Sequence, residues 1–339
     1  MTLQTKTTIT IVITVCIITL LLYAMLYASI MSEYISMDEE LNQQNVERAF
    51  TEIDHRLHAL KTLTLEWSAW SDTYQYIKGE YPTFIEDNIF DITYSTLNIH
   101  YMLFYDINGN LYHGESYSSD NGHYNDIPKV FHNIFAENAF RNERLNSEIT
   151  GIISTEGKYM LMCALPIQKS DWQGSSGTLI IARYFDKDMI EELNQSLIYP
   201  ITPLVLDQLD PYTKRQIDET IEAEKNIFNG YSKNRSILET YGIYKDIYNE
   251  PSFIFKISSQ RKIYEQGKET NQFILYYLTG VGLIIAIIGS LIFNKYVIAR
   301  LVNLTDEVSN ITLDGDLERS IKPSADNDEI GILRKSINQ

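Results

Sequence analysis

Two stretches without a single charge dominate the pattern of apolar and polar positions. The first covers residues 9–31 and the second 273–293. A helix needs ~20 apolar residues to cross the hydrocarbon core of a bilayer, so each stretch predicts a spanning helix. The first exceeds the ~7–15 apolar residues of a cleaved signal peptide, and Tyr23, Met25, Leu26 and Tyr27 stand where small residues would prepare a cleavage site. It is therefore expected to stay in place. Lys6 precedes the first stretch, and Lys295 and Arg300 follow the second. Basic residues favour the cytoplasmic side, which predicts a multi-pass protein of the cell membrane with both termini in the cytoplasm. The expected division is a tail over 1–8, spans over 9–31 and 273–293, an extracellular region over 32–272 and a cytoplasmic segment over 295–339.

Inside the outer region a helical pattern begins near Val46. Apolar or aromatic residues recur at Val46, Phe50, Ile53, Leu57, Leu60, Trp67 and Tyr74, in steps of three and four once Thr64 and Ser71 are counted as weak members. No Pro or Gly occurs before Gly79, so one long helix over 32–78 is expected, continuous with the first span. A partner helix is the usual cover for so long an apolar face. Gly79 and Pro82 close it, and a shorter helix over 83–97 follows. Strands are expected over 99–105 and 111–113, joined by Asn108-Gly109, a strong hairpin signal. A helix over 127–140, a hairpin of 149–155 with 158–167, and a strand over 178–184 complete the core over 79–200. The membrane-proximal part, 201–272, adds to a helix over 187–195 a helix over 211–228 and strands over 237–245 and 253–258. Antiparallel hairpins with helices set apart predict an α+β domain.

Composition and charge narrow the partners. The chain has 339 residues, 44% hydrophobic and 22% charged, and a formal net charge of −17. Lys6 adds one positive charge at the N-terminus and the segment after Gln272 carries −2, so the outer region holds −16. Such acidity disfavours nucleic acid, which needs clustered Lys and Arg. The two cysteines, Cys16 and Cys163, exclude a disulfide framework. Cys163 sits in an apolar stretch and is expected to be packed. The run Asp106-Ile107-Asn108-Gly109-Asn110 has oxygen side chains at alternate positions, but its Gly is fourth and Tyr117 twelfth where a calcium loop needs Gly sixth and Glu twelfth. The six histidines form no HExxH pair, and His113, Asp120 and His123 read as loop polars. Neither a nucleophile elbow nor a P-loop is present. No enzyme, metal or cofactor is expected in this chain.

After the second span, Val297, Leu301, Leu304, Val308 and Ile311 step by four, three, four and three, which is a coiled-coil seam. Asp314-Gly315-Asp316 breaks that helix, Leu317 and Ile321 fall in a connector, and 323–327 is a turn. Asp328 and Glu329 open a second helix whose apolar face is Ile330, Leu333 and Ile337. Two short helices cannot bury their seams alone, so a homodimer is expected.

Gly315-Asp316-Leu317, then Asp328-Glu329-Ile330-Gly331-Ile332-Leu333, closing on Ile337-Asn338-Gln339, resemble the connector and second helix of a HAMP signal-relay domain. Ile298-Ala299-Arg300 stand where that family often has Pro, and the relay domain is expected to be incomplete. The outer region resembles the fourth type of CHASE extracellular sensor domain. The resemblance rests on Trp67-Ser68-Ala69-Trp70-Ser71-Asp72-Thr73-Tyr74 and on Tyr105-Asp106-Ile107-Asn108-Gly109-Asn110-Leu111. It continues through Pro166-Ile167, Gly177-Thr178-Leu179-Ile180-Ile181-Ala182-Arg183 and Arg261-Lys262-Ile263-Tyr264-Glu265-Gln266-Gly267. The resemblance implies a PAS-like fold of the Cache kind and a signal passed to a kinase, cyclic-dinucleotide or chemotaxis output domain.

The expected function is that of a transmembrane signal receptor, sensing a small molecule or another stimulus outside. The alternatives are the sensor part of a histidine kinase or diguanylate cyclase, a chemotaxis-type receptor, and a membrane-anchored binding protein that does not signal. Trp67, Trp70, Asp72 and Tyr74 place aromatics beside a carboxylate, as in a cage for a cationic ligand. Arg183 would receive a ligand carboxylate or pair with Asp72, and His100 and Tyr101 open the first strand beside a pocket. The alternative for each is plain packing. In the second span Gly282, Ala286 and Ser290 form a small-residue stripe suited to close helix approach, expected against a second copy.

Overall fold

The computed structural model describes residues 2–118, 127–134, 147–155, 157–204, 209–231, 236–314 and 328–337. The expectations for Asp120, His123, the later part of the 127–140 helix, the connector with Leu317 and Ile321, and the 323–327 turn lie outside the described residues. The chain divides into two compact units, Asp38–Arg261 and a second made of Met1–Met37 with Lys262–Gln339. Helix α1 (Leu3–Ser68) contributes to both.

In the Asp38–Arg261 unit, α1 is followed by α2 (Ser71–Ile77), α3 (Phe84–Asn88) and α4 (Asp91–Leu97). Strands β1 (Tyr101–Asp106) and β2 (Leu111–Ser116) precede α5 (Lys129–Asn133). Then come β3 (Ile149–Thr155), β4 (Lys158–Ile167), β5 (Gly177–Tyr184) and α6 (Lys187–Ser196). The remainder is β6 (Ile201–Leu204), α7 (Pro211–Glu222), β7 (Ile227–Tyr231), β8 (Ile237–Lys245) and β9 (Pro251–Gln260). Two antiparallel sheets result, ordered β2-β1-β5-β4-β3 and β6-β9-β8-β7. The expected mixture of helices and antiparallel strands is observed.

Strand alternation divides the five-stranded sheet into two faces. Met102, Phe104, Leu161, Cys163, Leu179 and Ile181 share a core with Val46, Ala49, Ile53, Leu57 and Leu60 of α1. Tyr101, Leu103, Tyr105, Met160, Met162 and Ile180 lie on the other face with Phe131 of α5. Phe253, Phe255 and Ile257 of β9 join the α1 core as well. The apolar face of α1 is thus covered by the chain's own two sheets rather than by a partner helix. Gly177 marks the tightest approach in this packing, because a Cβ there would stand 2.1 Å from the Tyr105 carbonyl oxygen.

Several helices are shorter than their periodicity predicts. The long helix ends at Ser68, not near residue 78. Trp70 is extended (φ −103°, ψ 129°), and the Ser71 amide donates to Ser170 Oγ while the Ser170 amide donates to Ser71 Oγ, both at 3.2 Å. A loop from beyond β4 thereby satisfies the N-terminus of α2 and makes the break favourable. The helix expected over 83–97 is two helices, divided by extended Ile89 and Phe90. The helix expected over 211–228 stops at Glu222. Phe228 instead belongs to β7, where it stacks on Tyr241 of β8 at 4.5 Å. Asp210 caps α7 by accepting from the amides of Tyr212 and Thr213, with Pro211 in the first turn. The hairpin at Asn108-Gly109 forms, and Asp106 Oδ1 accepts from the amides of Asn108 and Asn110, so Asp106 serves its own turn.

In the other unit, α8 (Lys262–Phe293) passes through a π-helical turn, Asn294–Ile298, into α9 (Ala299–Asp314), and α10 (Glu329–Ile337) follows. The first part of α1, and α8, are long and apolar enough to cross a membrane. The small-residue stripe of α8 meets α1 of the same chain. A Cβ on Gly282 would meet Thr19 Oγ1 at 2.8 Å, Ala286 is buried, and the Ser290 and Thr8 hydroxyls are 3.2 Å apart.

The ends of the Asp38–Arg261 unit meet in a buried ion pair. Arg261 Nε is 3.6 Å from Asp38 Oδ2, with side chains 3% and 7% exposed. One turn along α1, Asn42 Nδ2 donates to Ser259 Oγ at 2.7 Å. Removing one member of such a pair leaves a desolvated charge, whereas removing both does not. Arg261→Met is expected to cost about 3–5 kcal/mol, and the Asp38→Leu/Arg261→Met double variant substantially less. Thermal unfolding of the detergent-solubilised protein measures both, and a double variant as unstable as the single would count against this role of the pair.

Candidate functional site

The seven ligand candidates fall into two groups around the five-stranded sheet. In the first, Trp67 at the end of α1 meets Trp70 edge-on at 5.7 Å, and Trp70 meets Phe84 of α3 at 5.7 Å. Tyr76 stacks on Phe84 and packs edge-on against Phe104. Trp67, Trp70 and Tyr74 pack against the α1 core. The bend at Trp70 removes the continuous helical stripe that the spacing of 67, 70 and 74 predicts. Tyr74 does receive cations, but they are Lys169 at 5.3 Å and Lys78 at 5.8 Å from its ring centre. Asp72 is half-buried in the first turn of α2, where a carboxylate suits the helix N-terminus. The rings of this group pack on one another and on Phe84 around the helix break.

The second group surrounds the end of β5. Arg183 sits opposite Leu161 in the β4–β5 register, on the α1 face of the sheet. Its side chain is 13% exposed, and its Nη2 donates to both carboxylate oxygens of Glu192 on α6 at 3.4 Å. Arg56 of α1 donates Nη1 to the same Glu192 at 3.4 Å. The Asn98 amide, oriented with its oxygen toward Arg183, accepts from Nη1 and Nη2 at 3.3 and 2.7 Å. Asn98 can reach there because it ends α4 in the left-handed conformation, φ 51°. Arg183 Nε is buried with no hydrogen-bond partner among the described residues. Arg56, Arg183 and Asn98 border a cavity of about 140 Å³, lined also by Leu60, Leu97 and Leu161. The partner of Arg183 is therefore Glu192, not Asp72.

His100, immediately before β1, belongs to the same neighbourhood. Its Nδ1 accepts from the Tyr184 amide at 3.3 Å, its ring meets Tyr184 edge-on at 5.0 Å, and Nε2 is 3.9 Å from Asp186. Burial lowers its pKa, Asp186 opposes that shift, and Arg183 adds to it. Tyr101 points to the opposite face, where its hydroxyl is 2.6 Å from that of Tyr184 and its ring packs on Phe131 at 5.3 Å. The structure thus joins Arg183, His100 and, through Tyr184, Tyr101, while the tryptophan group stands apart. Cys163 is buried, which raises its thiol pKa, and its Sγ is 3.3 Å from Thr150 Oγ1.

Sequence reasoning missed Arg56, Asn98 and Glu192. Arg56 was detectable, since it lies three residues after Ile53 and four before Leu60 at the margin of the apolar stripe. Asn98 and Glu192 carried no comparable signal. Among the described residues no group of three or more His, Cys, Asp or Glu could hold a metal ion.

In the segment after α8, Val297 lies in the π-helical turn, half-buried, and Leu301, Leu304 and Val308 follow on α9 with Leu304 buried. Ile311 is the last of the seam on α9. Asp328 accepts from the Gly331 amide and pairs with Arg300, and these bonds hold its carboxyl below the usual range. Arg334 pairs with Glu307. Glu329 opens α10, Ile330 is half-buried, and Leu333 is 47% exposed.

Residues 52–203 match the CHASE4 domain family. All seven ligand candidates, and Arg56, Asn98 and Glu192, lie within the CHASE4 match. A curated relative, the methanogenesis regulatory histidine kinase FilI of Methanothrix harundinacea, is 23% identical over 315 residues. The alignment takes in 91% of this chain and 34% of the relative, so the chain spans about a third of that kinase. Among solved structures, the sensory domain of the Campylobacter jejuni chemoreceptor Tlp3 aligns at TM-score 0.43 and 10% identity, over 69% of this chain and 98% of that one. The periplasmic domain of Vibrio cholerae LuxQ aligns at TM-score 0.39 and 12% identity, over 65% and 99%.

The half-buried His100 makes a test. In the unfolded chain a histidine titrates near ~6.5. With its folded pKa lowered, the unfolded state binds the extra proton first as pH falls, so stability is full above ~6.5 and declines below it. Between about pH 7 and 5 the melting temperature of the wild type is expected to fall more steeply than that of His100→Gln. Parallel slopes would assign the acid sensitivity elsewhere.

Proposed function

We propose that this chain is the sensing and relay part of a transmembrane signal receptor. The observation that carries the reading is a CHASE4 match confined to the α+β unit, in a chain with two apolar helices, one before the match and one after it. The apolar side chains of those helices support a bilayer environment, since Leu20, Met25, Phe273 and Tyr277 are between 69% and 75% exposed. In this reading the CHASE4 unit lies outside the cell membrane and both ends of the chain lie in the cytoplasm. A small molecule binding outside would favour one of two arrangements of α1 and α8, and the difference would pass to α9 and α10.

The cytoplasmic helices support a HAMP-type relay. Arg300–Asp328 and Arg334–Glu307 fasten α9 to α10, and apolar Leu333 and Ile337 remain exposed on α10. A second copy of the chain, covering those residues in a parallel dimer, is the occupant this seam favours. The output would be a kinase, as in the curated relative, and catalysis would belong to that domain. A chemotaxis-type receptor is the second reading, with the same sensing and relay steps.

Two labelling experiments test the reading. With Cys16 and Cys163 replaced, Tyr248→Cys is expected to react with a membrane-impermeant maleimide on intact cells, and Ser336→Cys only after permeabilisation. The reverse pattern would refute the orientation. Leu333→Cys is expected to form a disulfide-linked dimer in membranes under mild oxidation, and a purely monomeric product would exclude the relay dimer.

A further inference from the structure

The cavity beside Arg183 has the chemistry of an anion site with an apolar end. Two guanidiniums, Arg56 and Arg183, share one carboxylate, Glu192, which leaves a surplus positive charge. Their contacts to Glu192 are 3.4 Å, well beyond the ~2.7–2.9 Å of a direct charge-assisted bond. Among the described residues Arg183 Nε is buried without a hydrogen-bond partner, an arrangement that carries a desolvation cost until an acceptor arrives. The neighbouring acid, Asp186, is engaged in capping α6 through the Met189 amide and faces His100. The remaining walls are largely leucine side chains.

Size sets the ligand class. The cavity is about 140 Å³, and an apolar protein cavity of ~150 Å³ holds a molecule the size of benzene. From this geometry we infer that the cavity binds a short aliphatic monocarboxylate of about three to five carbons. Its carboxylate would lie on Arg183 and Arg56 and its alkyl chain against Leu60, Leu97 and Leu161. Asn98 and Glu192 then hold the Arg183 guanidinium in place, and Glu192 competes with the ligand for the two cations. An amine of the same length lacks the acceptor oxygens and meets two like charges. This inference rests on the sensing role proposed above and supplies that role with a site.

Isothermal titration calorimetry of the full chain in lipid nanodiscs, with sodium butyrate as the probe and n-butylamine as the control, tests it. Saturable binding of butyrate and none of butylamine is expected. Arg183→Gln should weaken butyrate at least tenfold, and Glu192→Gln should leave it as tight or tighter by removing the competitor. Should Arg183→Gln unfold, Ala59→Phe decides the matter, because it fills the cavity from an exposed position on α1 and leaves every charge in place. Butyrate binding that survives Ala59→Phe, or that is absent from the wild type, overturns the inference. The receptor reading fails or stands separately, since it is decided by the maleimide and disulfide patterns, which need no ligand.

Discussion

The Asp38–Arg261 unit depends on one apolar stripe. Val46, Ala49, Ile53, Leu57 and Leu60 run along α1 and pack against the inward faces of two separate sheets. Burying a side chain of this size contributes roughly 1.5–3 kcal/mol, so the stripe is among the larger favourable contributions in the unit. It also fixes topology. Both sheets must turn their most apolar face toward the same helix, which is why β1, β4 and β5 on one side and β9 on the other supply the core. Everything else in the unit is placed relative to that helix, including Arg56, which rides at the edge of the stripe.

Two of the charge clusters in this apolar frame have different physical characters. Asp38 and Arg261 are almost fully buried and close the unit where the chain enters and leaves it. Such a pair is a poor source of stability but a strong penalty on any arrangement that separates its members. Arg183, Arg56 and Glu192 form the other cluster. There the charges are partly open to solvent, the contacts are long, and positive charge is in excess. The first cluster resists change in spacing between the ends of the unit, and the second has room for a guest. In the receptor reading proposed above, the second cluster would supply a site whose occupancy alters local electrostatics, and the first would hold the ends of the unit together.

Local signals were legible wherever local physics decided the outcome. The 149–155 and 158–167 hairpin, the β8 strand and the turn at Asn108-Gly109 follow from alternation and turn chemistry, and they appear with the expected boundaries. The α7 start was marked by Asp210 and Pro211. Reading failed where a distant segment outbid a local preference. Ser170 captures Ser71 and breaks the long helix at Trp70, and β8 captures Ile227 and Phe228 that continue an apparent helical pattern. The aromatic stripe of Trp67, Trp70 and Tyr74 was sound as composition but became a brace around Phe84 once that break was imposed.

The sequence by itself determined two apolar helices, a mixed α+β region between them, the acidity of that region and the presence of an apolar stripe on α1, because periodicity and charge are properties of neighbours along the chain. It singled out Arg183 but not its companions. Only the tertiary structure decided that α1 is covered by two sheets, that the small residues of α8 are met by Thr8 and Thr19 of the same chain, and that Arg183 faces Arg56, Asn98 and Glu192. Those residues are far apart in sequence, and their meeting is set by strand register, by the left-handed turn at Asn98 and by the seating of α6, none of which leaves a periodic trace.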